Sequence, residues 1–113
     1  MKIWMILKVI SALATAATGL LALVKPASVY GFTGLTANGV RGVSEVRAIF
    51  GGLLIALGLV PLFLGPVAYQ MLGFGYLGIA LARSFSILFD KSTAQSNIIS
   101  LAIEVVLGVI LVL

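Results

Sequence analysis

The sequence predicts an all-α, polytopic integral membrane protein, a four-transmembrane-helix antiparallel bundle formed by a single domain over residues 1–113. The first indication is composition, because 62% of the 113 residues are hydrophobic and only 9% are charged, against about 45–50% and about 25% in soluble domains. The second is a set of four apolar segments, each near the roughly 20 residues that a helix needs to cross a bilayer core. The third is the absence of the short alternating segments that are typical of membrane β-barrel strands. These observations argue against a soluble enzyme, a nucleic-acid-binding domain and a disordered chain.

Each predicted span is bounded by residues that interrupt a helix or carry charge. Lys25-Pro26 ends the first span, and Gly65-Pro66 follows the second. Ser92 and Gln95 form an S-x-x-Q capping box, which predicts the start of the fourth span. The predicted spans cover residues 3–24, 44–64, 67–89 and 93–113.

The links between the spans differ greatly in length. The first link, residues 25–43, is rich in Gly, Ser, Thr and Asn, and it is the one long loop that the pattern predicts, with room for a short helix. The second link is so short that spans two and three are predicted to form an antiparallel hairpin.

The distribution of basic residues predicts the orientation. The formal net charge is +4, but no basic run suggests a nucleic-acid partner. Five of the seven Lys and Arg residues lie in or near links one and three, and the positive-inside rule places those links in the cytoplasm with both termini outside. We expect residence in a bacterial inner (plasma) membrane, with the lipid bilayer as the main partner. The five residues are Lys25, Arg41, Arg47, Arg83 and Lys91.

Polar and small residues recur along one face of each predicted helix, given 100° per residue. On the third span, Tyr69, Tyr76, Arg83 and Asp90 recur every seven residues. The other predicted stripes are, on the first span, Lys8, Ser11, Ala12, Thr15, Gly19 and Ala22, and on the fourth span, Thr93, Asn97, Ser100, Glu104 and Gly108. The second span has one stripe of Arg41, Glu45, Ala48, Gly52 and Ala56 and a neighbouring stripe of Arg47, Gly51 and Gly58. The third span has a small-residue stripe of Gly75, Gly78, Ala82 and Ser86 beside its heptad. Small residues at such spacing are typical of helix–helix contacts in membranes.

Glu104 is the ionisable residue that the pattern places deepest, near the bilayer midplane. A charge there costs at least about 2.5–3.5 kcal/mol, so Glu104 should be paired, protonated or exposed to water. Arg83 is the first predicted partner, because it lies roughly 10 Å inside its span and has a long side chain. Lys8, which approaches from the opposite side, is the second. The pair has two interpretations, a functional site or a buried ion pair that fixes helix register.

A second polar group is predicted at the cytoplasmic mouth of span two. Arg41 and Glu45 are four residues apart and should pair on one helix face, and Arg47 follows them. With Arg83, Asp90 and Lys91 on the same side, they suggest a polar vestibule that favours anionic ligands or lipid headgroups. The complete set of candidate binding residues is Glu104, Arg83, Glu45, Arg47, Arg41, Lys8, Tyr76 and Asn97.

Residues 44–53, S-E-V-R-A-I-F-G-G-L, carry a resemblance that goes beyond composition. This run resembles the S-E-I-R-A-x-Y-G-G-L signature of the domain of unknown function 4345 group, small bacterial membrane proteins with four helices. Phe50 stands where the signature has Tyr. The resemblance implies the four-span fold over the whole chain, with Arg83 and Glu104 matching an Arg in the third span and an acid in the last. It implies no activity.

Two function classes remain after these observations. The first is a protein that binds or transports a small ligand, anionic or lipid-like, at the Glu/Arg site, as a homo-oligomer where transport requires more volume. The alternative is an accessory or scaffold subunit of a larger membrane complex. The chain has no Cys and no His, so the usual metal ligands and nucleophile–base pairs are missing. We therefore expect no catalytic residues, no metal and no cofactor.

Overall fold

The structure is a computed structural model that describes residues 2–113, and this part of the chain is helical with no strand. Four helices are long and apolar enough to cross a membrane, judged by length and composition. Two short helices, Pro26–Val29 and Tyr30–Thr33, lie in the first link. The four long helices are α1 (Lys2–Val24), α2 (Gly39–Leu64), α3 (Pro66–Phe89) and α4 (Gln95–Val112).

Two helices begin more than one residue from their predicted starts, by five residues in α2 and by two in α4. Helix α2 begins at Gly39, five residues before the predicted start, and therefore includes Arg41. Helix α4 begins at Gln95 rather than residue 93, and its N-cap is Ala94, with no side-chain cap. The predicted capping box does not form, because Ser92 lies outside the helix and accepts hydrogen bonds from the Asn97 side chain instead.

Helices α1 and α2 pack antiparallel through direct backbone contact. A Cβ atom at Gly58 would lie 2.5 Å from the carbonyl oxygen of Ala12, and one at Gly19 would lie 2.7 Å from the carbonyl oxygen of Gly51. Only glycine allows this separation, as is common where membrane helices cross closely. The buried face of α1 is the predicted stripe of small and hydroxyl residues.

Helices α3 and α4 form the second antiparallel pair. A Cβ atom at Gly73 would lie 2.8 Å from the side chain of Leu111, and one at Gly108 would lie 2.5 Å from that of Leu77. The two pairs meet in a small core that joins Ala12 of α1 to Leu111 and to Tyr69 and Leu72 of α3. Helix α1 is therefore central, since it contacts the other three long helices.

Helices α2 and α3 are joined by the short turn that the predicted hairpin requires, but they do not pack along their length. The two helices touch beside the turn at Gly65, which has a left-handed φ of 83°, and diverge beyond it. Each of the two helices packs against a different neighbour through the glycine contacts described above: α2 packs against α1, and α3 packs against α4. The resulting body is flat, with extents of 44 × 32 × 17 Å.

An eight-residue π-helical segment, Val46–Leu53, interrupts α2. Its i→i+5 hydrogen bonds widen each turn, so the 100° periodicity used to predict a polar stripe fails across it. The buried residues include Gly51 and Gly58 of the neighbouring stripe, together with Val46. The residues predicted to pack are exposed: Ala48, Gly52 and Ala56.

The small-residue stripe of α3 also faces outward. A Cβ atom at Gly75 or Gly78 would meet no other atom within 4 Å, and Ala82 is exposed. The prediction that these glycines pack between helices of the chain is therefore wrong, because α4 contacts α3 on a different face, at Gly73. The outward stripe borders the gap between α2 and α3.

Candidate functional site

Arg83 and Glu104 form a bidentate ion pair across α3 and α4. Arg83 Nε donates to Glu104 Oε1 at 2.8 Å, and Arg83 Nη2 donates to Oε2 at 2.6 Å. The side chains of Arg83 and Glu104 are 29% and 10% exposed, respectively. Both carboxylate oxygens are therefore occupied by the guanidinium fork, the geometry in which Arg binds carboxylates most strongly. The first predicted partner of Glu104 is the one present in the structure.

Asn97 is the third member of this cluster. It lies seven residues before Glu104 on α4 and so projects from the same helix face. Its Oδ1 accepts a hydrogen bond from Arg83 Nη1 at 2.7 Å, while its Nδ2 donates to the backbone and side-chain oxygens of Ser92 at 2.8 and 3.1 Å. Asn97 thereby connects the guanidinium of Arg83, through its Oδ1, to the third link, through its Nδ2.

The pair lies well inside the apolar length of the helices. Glu104 is nine residues from the start of α4 and eight from its end. Arg83 lies six residues before the end of α3, which is about 9 Å along the axis. The guanidinium therefore bridges Asn97, in the first turn of α4, and Glu104, near the middle of that helix.

An open cleft of about 360 Å³ lies beside Arg83, toward the third link. Its lining consists of Ile79, Ala82, Arg83, Ser86, Ser92 and Asn97. A guanidinium has five N–H donors, and Arg83 uses three on Glu104 and Asn97. Two N–H groups thus have no partner among residues 2–113.

The other hydroxyls of the cleft have different partners. Ser92 accepts from Asn97 and keeps its own O–H for donation, since a hydroxyl both donates and accepts. Ser86 donates to Asp90 Oδ2 at 2.8 Å. The charged donors left free in the cleft are therefore the two N–H groups of Arg83.

Tyr76 lies one step deeper on the heptad of α3 and is outside the ion pair. Its hydroxyl shares a hydrogen bond of 2.5 Å with Thr15 Oγ1 of α1, and Thr15 is almost fully buried. Thr15 also donates to the carbonyl oxygen of Ser11 at 2.9 Å. Tyr76 therefore ties α3 to α1, a role that the sequence pattern did not distinguish from ligand binding.

Lys8 lies too far along α1 to reach Glu104. Leu111 of α4 and Ala12 of α1 belong to the same core, so they lie at the same level of the bundle. Because α1 and α4 run in opposite directions, Glu104, seven residues before Leu111, lies level with about Gly19, seven residues after Ala12. Eleven residues separate Lys8 from that level, which is roughly 16 Å of helix. Within residues 2–113, Lys8 takes part in no ion pair.

The predicted vestibule is divided into separate groups. Arg41 and Glu45 form the predicted pair, at 2.5 Å, but both side chains are mostly exposed. Arg47 Nη1 donates to the carbonyl oxygen of Leu23 at 2.5 Å, so it satisfies the C-terminal end of α1, as basic residues often do. None of these three residues lines the Arg83 cleft.

Sequence reasoning missed Ser92 and Thr15 as members of the polar network. The sequence pattern predicts Ser92 as a helix cap and places Thr15 on the polar stripe of α1 without indicating Tyr76 as its partner. The signal available for Thr15 was its place on the same stripe as Ser11. Among residues 2–113, no three Asp, Glu, His or Cys side chains are grouped as metal ligands would be.

Comparison with known families gives a match over nearly the whole chain. The model of the family described as Domain of unknown function (DUF4345) matches residues 3–113. No curated protein and no solved structure was found to match the chain. The matched range includes all four long helices and every residue of the Arg83–Glu104–Asn97 cluster, so the chain belongs to the DUF4345 family.

Proposed function

We propose that the protein is a membrane-embedded binding protein whose cleft at Arg83 takes a small ligand rich in acceptor oxygens, of the carboxylate or phosphate class. One observation carries the proposal. A half-buried guanidinium is locked by Glu104 and Asn97, yet two of its N–H groups are free beside an open cleft.

The charge on the free donors of Arg83 favours this ligand class. Donors on a charged guanidinium bind acceptor oxygens about twice as strongly as neutral donors do. The bidentate contact with Glu104 fixes the position of Arg83 before any ligand arrives, which lowers the ordering cost of binding. We expect the cleft to open on the cytoplasmic side, in accordance with the distribution of basic residues.

Binding is favoured over transport by a single chain. The core of Ala12, Tyr69, Leu72 and Leu111 fills the region between the helices beyond the ion pair. A ligand at Arg83 therefore has an apolar barrier between it and the far side. Transport would require rearrangement of this core or a second copy of the chain.

A scaffold role is the second candidate, and the outward stripe of α3 favours it. Gly75, Gly78 and Ala82 are small and exposed, as at contacts between membrane helices. A helix docked on this stripe would cover the Arg83 cleft, because Ala82 belongs to both. The two functions therefore predict different losses when the cleft is filled: loss of ligand binding for the binding protein, and loss of the docked helix for the scaffold.

Native mass spectrometry of the detergent-solubilised protein with decanoate tests the proposal. Ala82→Leu places a larger side chain at the cleft, and Ala102→Leu is the matched control at an exposed alanine of α4 that does not line it. We expect Ala82→Leu to weaken decanoate binding about tenfold or more, as overpacking does, and Ala102→Leu to leave it unchanged. Decanol, which lacks the carboxylate, should bind weakly.

Equal decanoate binding by the two variants, or equal binding of decanol and decanoate, would overturn the proposal. Loss of a homo-oligomer or of a co-purifying protein in Ala82→Leu alone would favour the scaffold role instead.

A further inference from the structure

An apolar crevice lies where α2 and α3 diverge, and the site described above does not account for it. Its walls are Leu54 and Leu57 of α2 and Met71, Leu72, Gly75 and Ile79 of α3, and its volume is about 200 Å³. Thr15 and Tyr76 form its floor, with their polar atoms engaged on each other. A second apolar space of about 330 Å³ continues from Leu57 and Met71 toward the Gly65 turn.

The crevice adjoins the polar cleft. Ile79 lines both spaces, so the polar cleft at Arg83 and the apolar crevice follow one another along α3. The distance from Arg83 to Met71 is twelve residues, or about 18 Å of helix. A polar end with free donors therefore leads into an apolar channel slightly longer than one leaflet of the bilayer core, about 15 Å.

We propose that the crevice between α2 and α3 holds the hydrocarbon chain of a single-chain amphiphile whose carboxylate or phosphate lies at Arg83. This inference rests on the proposed function and narrows its ligand to an amphiphile. The ligand enters sideways from the membrane through the gap between α2 and α3, so that its chain never crosses water.

The dimensions of the crevice favour a chain over a second helix. A helix with its side chains is about 10–12 Å across, whereas a cavity of roughly 150 Å³ already encloses a benzene ring. The 200 Å³ crevice, with its floor on α1, has the size of a slender chain. In a bilayer an apolar space of this kind gives a chain better packing contacts than loose lipid does.

The depth of Arg83 separates this ligand from ordinary bilayer lipid. The backbone of Arg83 lies about 9 Å below the end of α3, so a headgroup reaches its free N–H groups only by entering the cleft lined by Ser86 and Ser92. An amphiphile with a small headgroup is able to enter the cleft, because hydrogen bonds from Arg83 and Ser92 replace those that its headgroup makes to water. A phospholipid with a bulky head is not expected to fit.

Photocrosslinking with a fatty acid that carries a diazirine at mid-chain tests the inference in the detergent-solubilised protein. The expected result is saturable labelling of Leu57, Met71 and Gly75, mapped by peptide mass spectrometry and competed by unlabelled decanoate. Gly75→Leu should reduce labelling about tenfold or more by filling the crevice. Gly78→Leu is the control, because its Cβ also meets open space but it does not line the crevice.

Leu57→Trp serves as a second variant, since it narrows the crevice from α2 and tests the same space without altering α3. Saturable labelling that decanoate competes, but that maps to other surfaces and is unchanged in Gly75→Leu, overturns the inference and leaves the polar site standing. Labelling that decanoate does not compete overturns both. Conversion of a dimer to a monomer by both Gly75→Leu and Gly78→Leu overturns the inference in favour of a contact between two copies.

Discussion

At the scale of single residues, the Arg83–Glu104 pair is held by geometry that each partner alone does not provide. Glu104 is 8% exposed as a residue and accepts both of its hydrogen bonds from Arg83. Removing one member of a buried pair typically costs about 3–5 kcal/mol, because it leaves the other charge unpaired, whereas replacing both with apolar residues is often neutral. The side chain of Arg83 is 29% exposed, so solvent screening lowers the expected loss to about 2–3 kcal/mol.

A double-mutant cycle at this pair therefore has a defined expectation. Arg83→Leu alone should lower the free energy of unfolding in detergent by about 2–3 kcal/mol. The double variant Arg83→Leu/Glu104→Leu should recover most of this loss, since no buried charge remains. Glu45→Gln is the control, because the exposed Arg41–Glu45 pair is expected to contribute less than about 1 kcal/mol. Additive losses in the double variant would show that the two side chains do not interact.

At the scale of the helices, the sequence predicted the four long apolar helices closely, because apolarity and length are readable directly from the residues. The Arg83–Glu104 pairing was also accessible, since a midplane acid needs a partner and Arg83 was the nearest candidate. The π-helical segment at Val46–Leu53 could not be predicted from the sequence, because the assignment of residues to helix faces assumes the α-helical period of 3.6 residues. The exposure of Gly52 follows from that local change in period.

The glycine contacts between α1 and α2 give the prediction at this scale. Gly58→Ala should destabilise the protein by about 1–3 kcal/mol, since the new Cβ would lie 2.5 Å from a backbone oxygen of α1. Gly52→Ala, in the same helix, should be neutral or slightly stabilising, because its nearest neighbour would be 3.9 Å away and alanine favours helices. Thermal unfolding of the two variants in one detergent measures the difference. Equal melting temperatures would contradict the close approach of α1 and α2.

At the scale of the whole molecule, the open side between α2 and α3 is what the sequence could not reveal. A short link indicates that two helices are neighbours, but it does not say whether they pack along their length. That outcome depends on which interfaces bring the backbones closest, and Gly19, Gly58 and Gly73 select the α1–α2 and α3–α4 pairs. The crevice between α2 and α3 is a consequence of this choice.

The orientation of the molecule gives a prediction that the composition makes easy to test. The chain has no cysteine, so a single introduced thiol reports its own side of the membrane. Lys91→Cys should react with an impermeant thiol reagent from the cytoplasmic side, and Lys2→Cys from the outside. Labelling of Lys91→Cys from the outside in intact cells would reverse the orientation and place the Arg83 cleft on the other face.

The most direct test of the central claim is nitrogen NMR of the arginine side chains during titration with decanoate. The account predicts a saturable shift of the Arg83 Nη signals, because their free N–H groups bind the carboxylate, while the exposed Arg41 signals stay in place. Ala82→Leu should abolish the shift. Saturable binding of decanoate with the Arg83 signals unchanged, or with Arg41 and Arg83 shifting alike, would contradict the account.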